Sequence, residues 1–173
     1  MDVATTSALL TAWLTRGRGM TIGAARRSEA GEVWAVVDAA FARYRDRMEG
    51  PPAPVLADYA RLADAGRVTV AREGRRIVAV MVHDIAGRAV EIETVAVHPA
   101  QEGQGLAGLL LDHAIDDGLI WAAHCVTLYT NAVMTEAQGF WLSRGFRETG
   151  RRVEGGYDRV YYRRCLRPEG APA

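Results

Sequence analysis

The stretch Val90–Leu111, VEIETVAVHPAQEGQGLAGLLL, decides how the rest of the chain is read. From Val90 to Val97 it alternates and is rich in β-branched residues, which predicts a strand. Its last part is leucine-rich at helical spacing, and Gly103, Gly105 and Gly108 lie between. The reading is a strand, a tight glycine turn and a helix beginning near Gly105. Glycines accept positive φ and let backbone approach a ligand closely, so successive N–H groups can point at one guest. The start of a helix adds its own unpaired amides and the positive end of its dipole. A phosphate or diphosphate is the natural guest of such a turn.

Gly103-Gln104-Gly105-Leu106-Ala107-Gly108 also matches the dinucleotide pattern GxGxxG, so other phosphate folds have to be weighed. In a dinucleotide fold the glycines follow the strand directly, and an acidic residue about 20 positions on holds the ribose. Here His98 to Glu102 intervene, and the corresponding place reads Leu128-Tyr129-Thr130-Asn131. Walker loops and protein kinases need a phosphate-binding lysine, and all 21 basic residues of this chain are arginine. A glycine turn that merely reverses the chain remains the plain alternative.

At these residues the sequence resembles the GCN5-related N-acetyltransferase (GNAT) family. That family's acyl-CoA loop, Arg/Gln-x-x-Gly-x-Gly/Ala after a strand ending Val-x-Pro, is matched by Val97-His98-Pro99 and Glu102-Gly103-Gln104-Gly105-Leu106-Ala107. The first loop position departs from it, with Glu102 where arginine or glutamine is usual. Ala137-Gln138-Gly139-Phe140-Trp141-Leu142-Ser143-Arg144-Gly145-Phe146 is similar to the family's helix ending in Leu-Tyr-x-x-x-Gly-Phe. The resemblance covers roughly Met20 to Leu166. It implies an α/β (α+β) fold, a single domain with a mixed, mostly antiparallel sheet flanked by helices, and acetyl-CoA as co-substrate.

A chain of 173 residues with 49% hydrophobic and 24% charged content has the composition of one well-buried domain. Its formal net charge is zero, so no basic field draws nucleic acid or an anionic membrane. Cys125 and Cys165 fall in expected strands without disulfide-scaffold or metal-site spacing, and read as buried thiols of a reducing cytoplasm. Ala8 to Leu14 is apolar but too short for a signal peptide or membrane span. The expectation is a cytoplasmic protein without a metal.

Outward from the central stretch, residues 1–19 form an N-terminal extension, 20–167 the domain and 168–173 a tail. Leu9, Leu10, Trp13 and Leu14 suggest a short amphipathic helix that packs on the body or on a partner subunit, the latter favouring a homodimer; a disordered tail is the alternative. A short strand begins at Met20, and a long helix carries Val33, Val37, Phe41, Tyr44 and Met48 up to Gly50-Pro51-Pro52. Pro54 opens a second helix bearing Leu56, Tyr59 and Leu62, which Gly66 stops. Val68 to Arg72 and Arg76 to Asp84 form a hairpin around Glu73-Gly74. After the glycine turn a helix presents Leu106, Leu109, Leu110, Ala114 and Trp121 inward and ends at Gly118 or Trp121. Cys125 to Thr130 is a strand, Met134 to Arg144 a helix closed by Gly145, and Phe146 to Val153 with Arg159 to Leu166 a last hairpin.

Acetyl transfer from a thioester to an amine needs a base, a site for the developing oxyanion and a proton for the departing thiolate. Glu91 and Glu93 are spaced to share one strand face with Val95 and Val97, and as half-buried carboxylates either could serve as base. Alternatively they pair with arginines such as Arg76 or Arg88. The resemblance implies that the backbone of Val95, Ala96 and Val97 receives the pantetheine arm, and that the amides of Gly103, Gln104, Gly105, Leu106, Ala107 and Gly108 hold the diphosphate. Trp141 stands where many members have a tyrosine acid; it reads as core or as a wall against the cofactor, leaving Tyr129 or Tyr157 as donors. The acceptor is a small-molecule or peptide amine of unread identity. The competing function is a catalytically weak acyl-CoA-binding sensor, and a purely structural domain is a third.

Overall fold

The computed structural model describes residues 19–166. The N-terminal helix expected in residues 1–19 and the tail 168–173 lie outside the described residues, Gly19 excepted. Strands β1 (Met20–Ala24), β2 (Val68–Glu73), β3 (Arg76–Ala86), β4 (Ala89–Val97), β5 (Cys125–Asn131), β6 (Arg147–Glu154) and β7 (Tyr157–Cys165) form one sheet in the order β1-β2-β3-β4-β5-β7-β6. All neighbours are antiparallel except β4 and β5, whose parallel junction holds only the register Ala89↔Cys125 to Ile92↔Leu128. The helices are α1 (Ala30–Phe41), α2 (Tyr59–Asp64), α3 (Leu106–Ile120) and α4 (Thr135–Ser143).

The sheet is buried on both faces, which is why its central strands are continuous apolar runs. On one face α3 and α4 bring Leu106, Leu110, Leu111, Ala114 and Trp141 against Met81, Val90, Ile92, Val126, Leu128 and Tyr162. On the other, Val33, Val36, Val37 and Phe41 of α1 and Tyr59 of α2 cover Val70, Val80, Val82 and Ala96. Gly118 explains how closely α3 sits on the sheet: a Cβ there would lie 2.2 Å from Val90 Cγ2. The glycine that weakens the helix locally is what lets the helix pack.

Several expected elements end differently. The first helix stops at Phe41 and continues as a 3-10 segment, Ala42–Arg47, that still buries Tyr44. The helix expected from Pro54 divides into a 3-10 turn, Ala53–Leu56, and α2, because the Asp58 side chain accepts from Arg61 N–H at 3.0 Å and caps a new start. Trp121, expected inward, is 70% exposed just past the end of α3, and Leu111 takes the inward place. Cys165, expected buried, is exposed, while Cys125 is buried.

The correction that matters most is in β4. Between β3 and β4 the register passes from Val82↔Thr94 to His83↔Ile92, so Glu93 is an extra residue, a β-bulge. A bulge inverts the alternation. Val90 and Ile92 share the α3 face with Val95 and Val97, whereas Ala96 packs on the α1 face. Glu91 and Glu93 therefore do not share a face with Val95 and Val97 as strict period-two counting required.

Candidate active site

Beyond Ile92 and Leu128 the strands β4 and β5 separate, and a cleft of about 620 Å³ opens between them. Its floor is Glu93 to Val97, with Leu128 to Asn131 across the gap. The His98 N–H donates to the Val78 carbonyl of β3 at 2.9 Å. By the alternation of an antiparallel ladder, the Thr94 and Ala96 amides then also face β3, while those of Val95 and Val97 point away from it, into the gap. Among the described residues no strand occupies that edge of β4. It is a row of main-chain donors and acceptors facing an apolar cleft.

The glycine turn stands at the end of this edge. After the 3-10 turn Pro99–Gln101, Gly103 has φ +74° and Gly105 φ +79°; Gly105 is the left-handed N-cap of α3. A Cβ at either position would meet nothing within 4 Å, so it is backbone conformation that requires glycine. The first bond of the helix runs from Leu109 N–H to the Gly105 carbonyl at 3.1 Å, which leaves the Leu106, Ala107 and Gly108 amides without intrahelical acceptors. The Leu106 side chain is core, 2% exposed, and fixes this turn to the sheet. Gln104 is held by Gln101, whose amide oxygen accepts at 2.6 Å.

Gly108 has a different reason. A Cβ there would lie 2.5 Å from Nη2 of Arg144, whose guanidinium rests on the first turn of α3 and 5.3 Å above the Phe140 ring. Among the described residues no carboxylate lies within ion-pair distance of Arg144. Glu102, by contrast, is paired with Arg43, which reaches over from the 3-10 segment after α1; this contact holds the Arg43 guanidinium still more firmly protonated. Arg47 of the same segment pairs with Glu136 of α4 at 2.9 Å, and the Tyr157 hydroxyl donates to the Pro51 carbonyl at 3.1 Å. These three contacts tie residues 43–51 across the cleft as a roof.

Of the two glutamates, Glu93 lines the cleft and Glu91 does not; both are exposed rather than half-buried. Glu93 is paired with Arg67, not with Arg76 or Arg88. Trp141 is 5% exposed, with edge contacts to Phe140 and Phe146 at 4.9 and 5.1 Å, so it is core as well as cleft wall. Tyr129 lines the cleft beneath the Arg159 guanidinium, 4.2 Å from its ring centroid. On the α1 side the walls are Phe41, Tyr44, Met48 and Met134; burial pushes the Tyr44 phenol above its ordinary pKa, and nearby Glu136 adds to this. His98 is structural, its Nδ1 accepting from Ala100 N–H at 3.2 Å. No cluster of three His, Cys, Asp or Glu residues that could hold a metal occurs among the described residues. Arg43 and Arg144 went unnoticed in the sequence because each looks like a solvated helix-end charge. The third glycine, unexplained by the turn itself, was the one trace of Arg144.

A mixed sheet that opens beside an amide-rich glycine turn defines the class, and the sequence model of the Acetyltransferase (GNAT) family matches residues 33–146. The chain belongs to the GNAT acetyltransferase family. Among solved structures, the ribosomal-protein-S18-alanine N-acetyltransferase from Escherichia coli is 17% identical with a TM-score of 0.67, covering 89% of this chain and 99% of its own. The yncA putative acetyltransferase from Salmonella typhimurium, solved with its cofactor acetyl-CoA, is 20% identical with a TM-score of 0.67, covering 89% and 98%. The paia N-acetyltransferase from Thermoplasma acidophilum, in complex with coenzyme A, is 11% identical with a TM-score of 0.68, covering 82% and 97%. At these identities the likeness is one of fold. No curated protein sequence matches the chain.

Proposed function

We propose that the protein transfers an acetyl group from acetyl-CoA to a primary amine. The observation that carries this reading is the free edge of β4, with the Val95 and Val97 amides facing a cleft that ends at the unpaired amides of α3. An extended amide-containing arm can add to that edge as a strand would, which suits pantetheine, and a diphosphate suits the turn from Gly103 to Gly108. The adjoining structures solved with acetyl-CoA or coenzyme A support the same co-substrate.

In this reading the amine nitrogen attacks the thioester carbonyl, and a β4 amide stabilises the oxygen as it gains charge. Glu93, on the cleft floor, takes the proton the nitrogen sheds, directly or through water; Arg67 holds the carboxylate in place. Glu91 takes no part. The C–S bond then breaks, and the thiolate leaves as such or takes a proton from Tyr129, since the buried indole of Trp141 is not an acid at useful pH. Tyr157, tied to Pro51, serves the roof.

Glu102 places a negative charge where the turn would receive a diphosphate, and the surrounding arginines offset it. Arg43 neutralises Glu102, and Arg144, lying on Gly108 with no carboxylate within ion-pair distance among the described residues, supplies the cation. The test is titration calorimetry with acetyl-CoA followed by a thiol-release assay against a panel of amines. Binding with amine-dependent thiol release is expected. Binding without turnover would instead support the sensor reading, and absence of binding would refute both.

A further inference from the structure

The sequence contains two cysteines, and the fold sets them face to face: Cys125 on β5 is the direct partner of Cys165 on β7. The Leu166 N–H donates to the His124 carbonyl at 2.8 Å, so the hydrogen bonds flank this pair rather than join it. It is a non-hydrogen-bonded position of an antiparallel ladder, where facing Cα atoms come within about 4.5 Å and side chains are closest. That separation falls inside the range of about 4.4 to 6.8 Å that a disulfide spans. Farther along the same ladder, at a pair of the same kind and on the same face, Tyr129 and Tyr161 do meet, with ring centroids 5.7 Å apart. Both thiols are free; Cys125 is buried and Cys165 exposed. Neither lines the cleft.

We propose that Cys125 and Cys165 form a redox-active dithiol that small disulfides of the glutathione class oxidise to a cross-strand disulfide. Exposure makes Cys165 the entry point. Its thiolate attacks one sulfur of the small disulfide, whose S–S bond breaks as one thiolate leaves, giving a mixed disulfide on Cys165. The Cys125 thiol then loses its proton to solvent and attacks the Cys165 sulfur, and the second small thiolate departs. Two protein thiols are oxidised and one small disulfide is reduced to two thiols, so the electrons balance. The bond staples the start of β5, where it also pairs with Ala89 of β4, to the end of β7. The inference does not depend on the acetyl-transfer reading.

The experiment is incubation of the full chain with oxidised glutathione, then thiol counting after denaturation and mass analysis of peptides. Wild type is expected to lose both thiols as one internal link joining the Cys125 and Cys165 peptides, with no adduct retained. Cys125→Ala should instead accumulate the glutathione adduct on Cys165, and Cys165→Ser should leave Cys125 unreacted. Should either variant fold poorly, phenylarsine oxide on unmodified wild type serves in its place: it bridges paired thiols and should consume both at equimolar dose. Wild type that stops at the adduct on Cys165 with Cys125 free, or that leaves both thiols untouched, overturns the proposal.

Discussion

Replacing Arg144 by glutamine removes a cleft-lining cation that, among the described residues, has no carboxylate within ion-pair distance. A hydrogen bond to a charged group contributes about 1.5 to 3 kcal/mol, and because Arg144 is exposed the lower end applies. About 1.5 kcal/mol is roughly a tenfold weaker Kd for acetyl-CoA. Calorimetry should show that loss for Arg144→Gln, together with a flatter dependence of affinity on salt. S-acetylpantetheine, which lacks the diphosphate, should be bound equally by variant and wild type. Gly108→Ala provides an independent arm. Its methyl would sit 2.5 Å from Nη2, so the flexible guanidinium must move away, while the helix itself gains up to about 1 kcal/mol of intrinsic propensity. The variant should therefore be at least as stable as wild type yet bind acetyl-CoA several-fold more weakly, and adding Arg144→Gln should cost little more. If Arg144→Gln binds acetyl-CoA as tightly as wild type with the same salt dependence, the assignment of Arg144 to the diphosphate is wrong.

Glu93→Gln should lower kcat about 100-fold, as expected for loss of a general base, while Glu91→Gln should leave kcat within a factor of two; equal effects would remove the distinction drawn from the cleft. Gly118→Ala should destabilise the fold by about 1 to 2 kcal/mol, because its Cβ would collide with Val90 Cγ2 and overpacking outweighs the helix gain; a urea midpoint at or above wild type contradicts this. Burial depresses the pKa of His83 below the value near 6.5 of an unfolded histidine. The unfolded chain thus takes up a proton that the folded one refuses, and stability is present above about pH 6.5 and lost as pH falls below it. Urea unfolding between pH 7.5 and 5 should show this slope in wild type, and His83→Gln should flatten it.

Most of the fold was legible because its determinants are local. The strand-forming run of β4, the positive-φ glycines at 103 and 105 and the helix-forming run of α3 each act within a few residues, and the structure forms a strand, a left-handed turn and a helix there. What escaped depends on pairing. The bulge at Glu93 is a property of the β3–β4 register, invisible in β4 alone, and it moved two glutamates off the face that counting gave them. Arg43 and Arg144 converge on the glycine turn from elements distant in sequence, so no spacing announces them. The two cysteines became neighbours through the β5–β7 register, which hydrophobic pattern constrains by face but not by rung.

The parallel junction between β4 and β5 spans just four rungs. It makes the sheet a pair of leaves on a short spine, β1 to β4 on one side and β5 to β7 on the other. The angle at which the leaves diverge, and hence the girth of any molecule admitted between them, is set along residues 89–92 and 125–128 at the binding, of which only the last rung, Ile92 and Leu128, lines the cleft. Changes at the first three rungs, Ala89 to Glu91 and Cys125 to Thr127, would tune what enters without replacing a residue that lines the cleft.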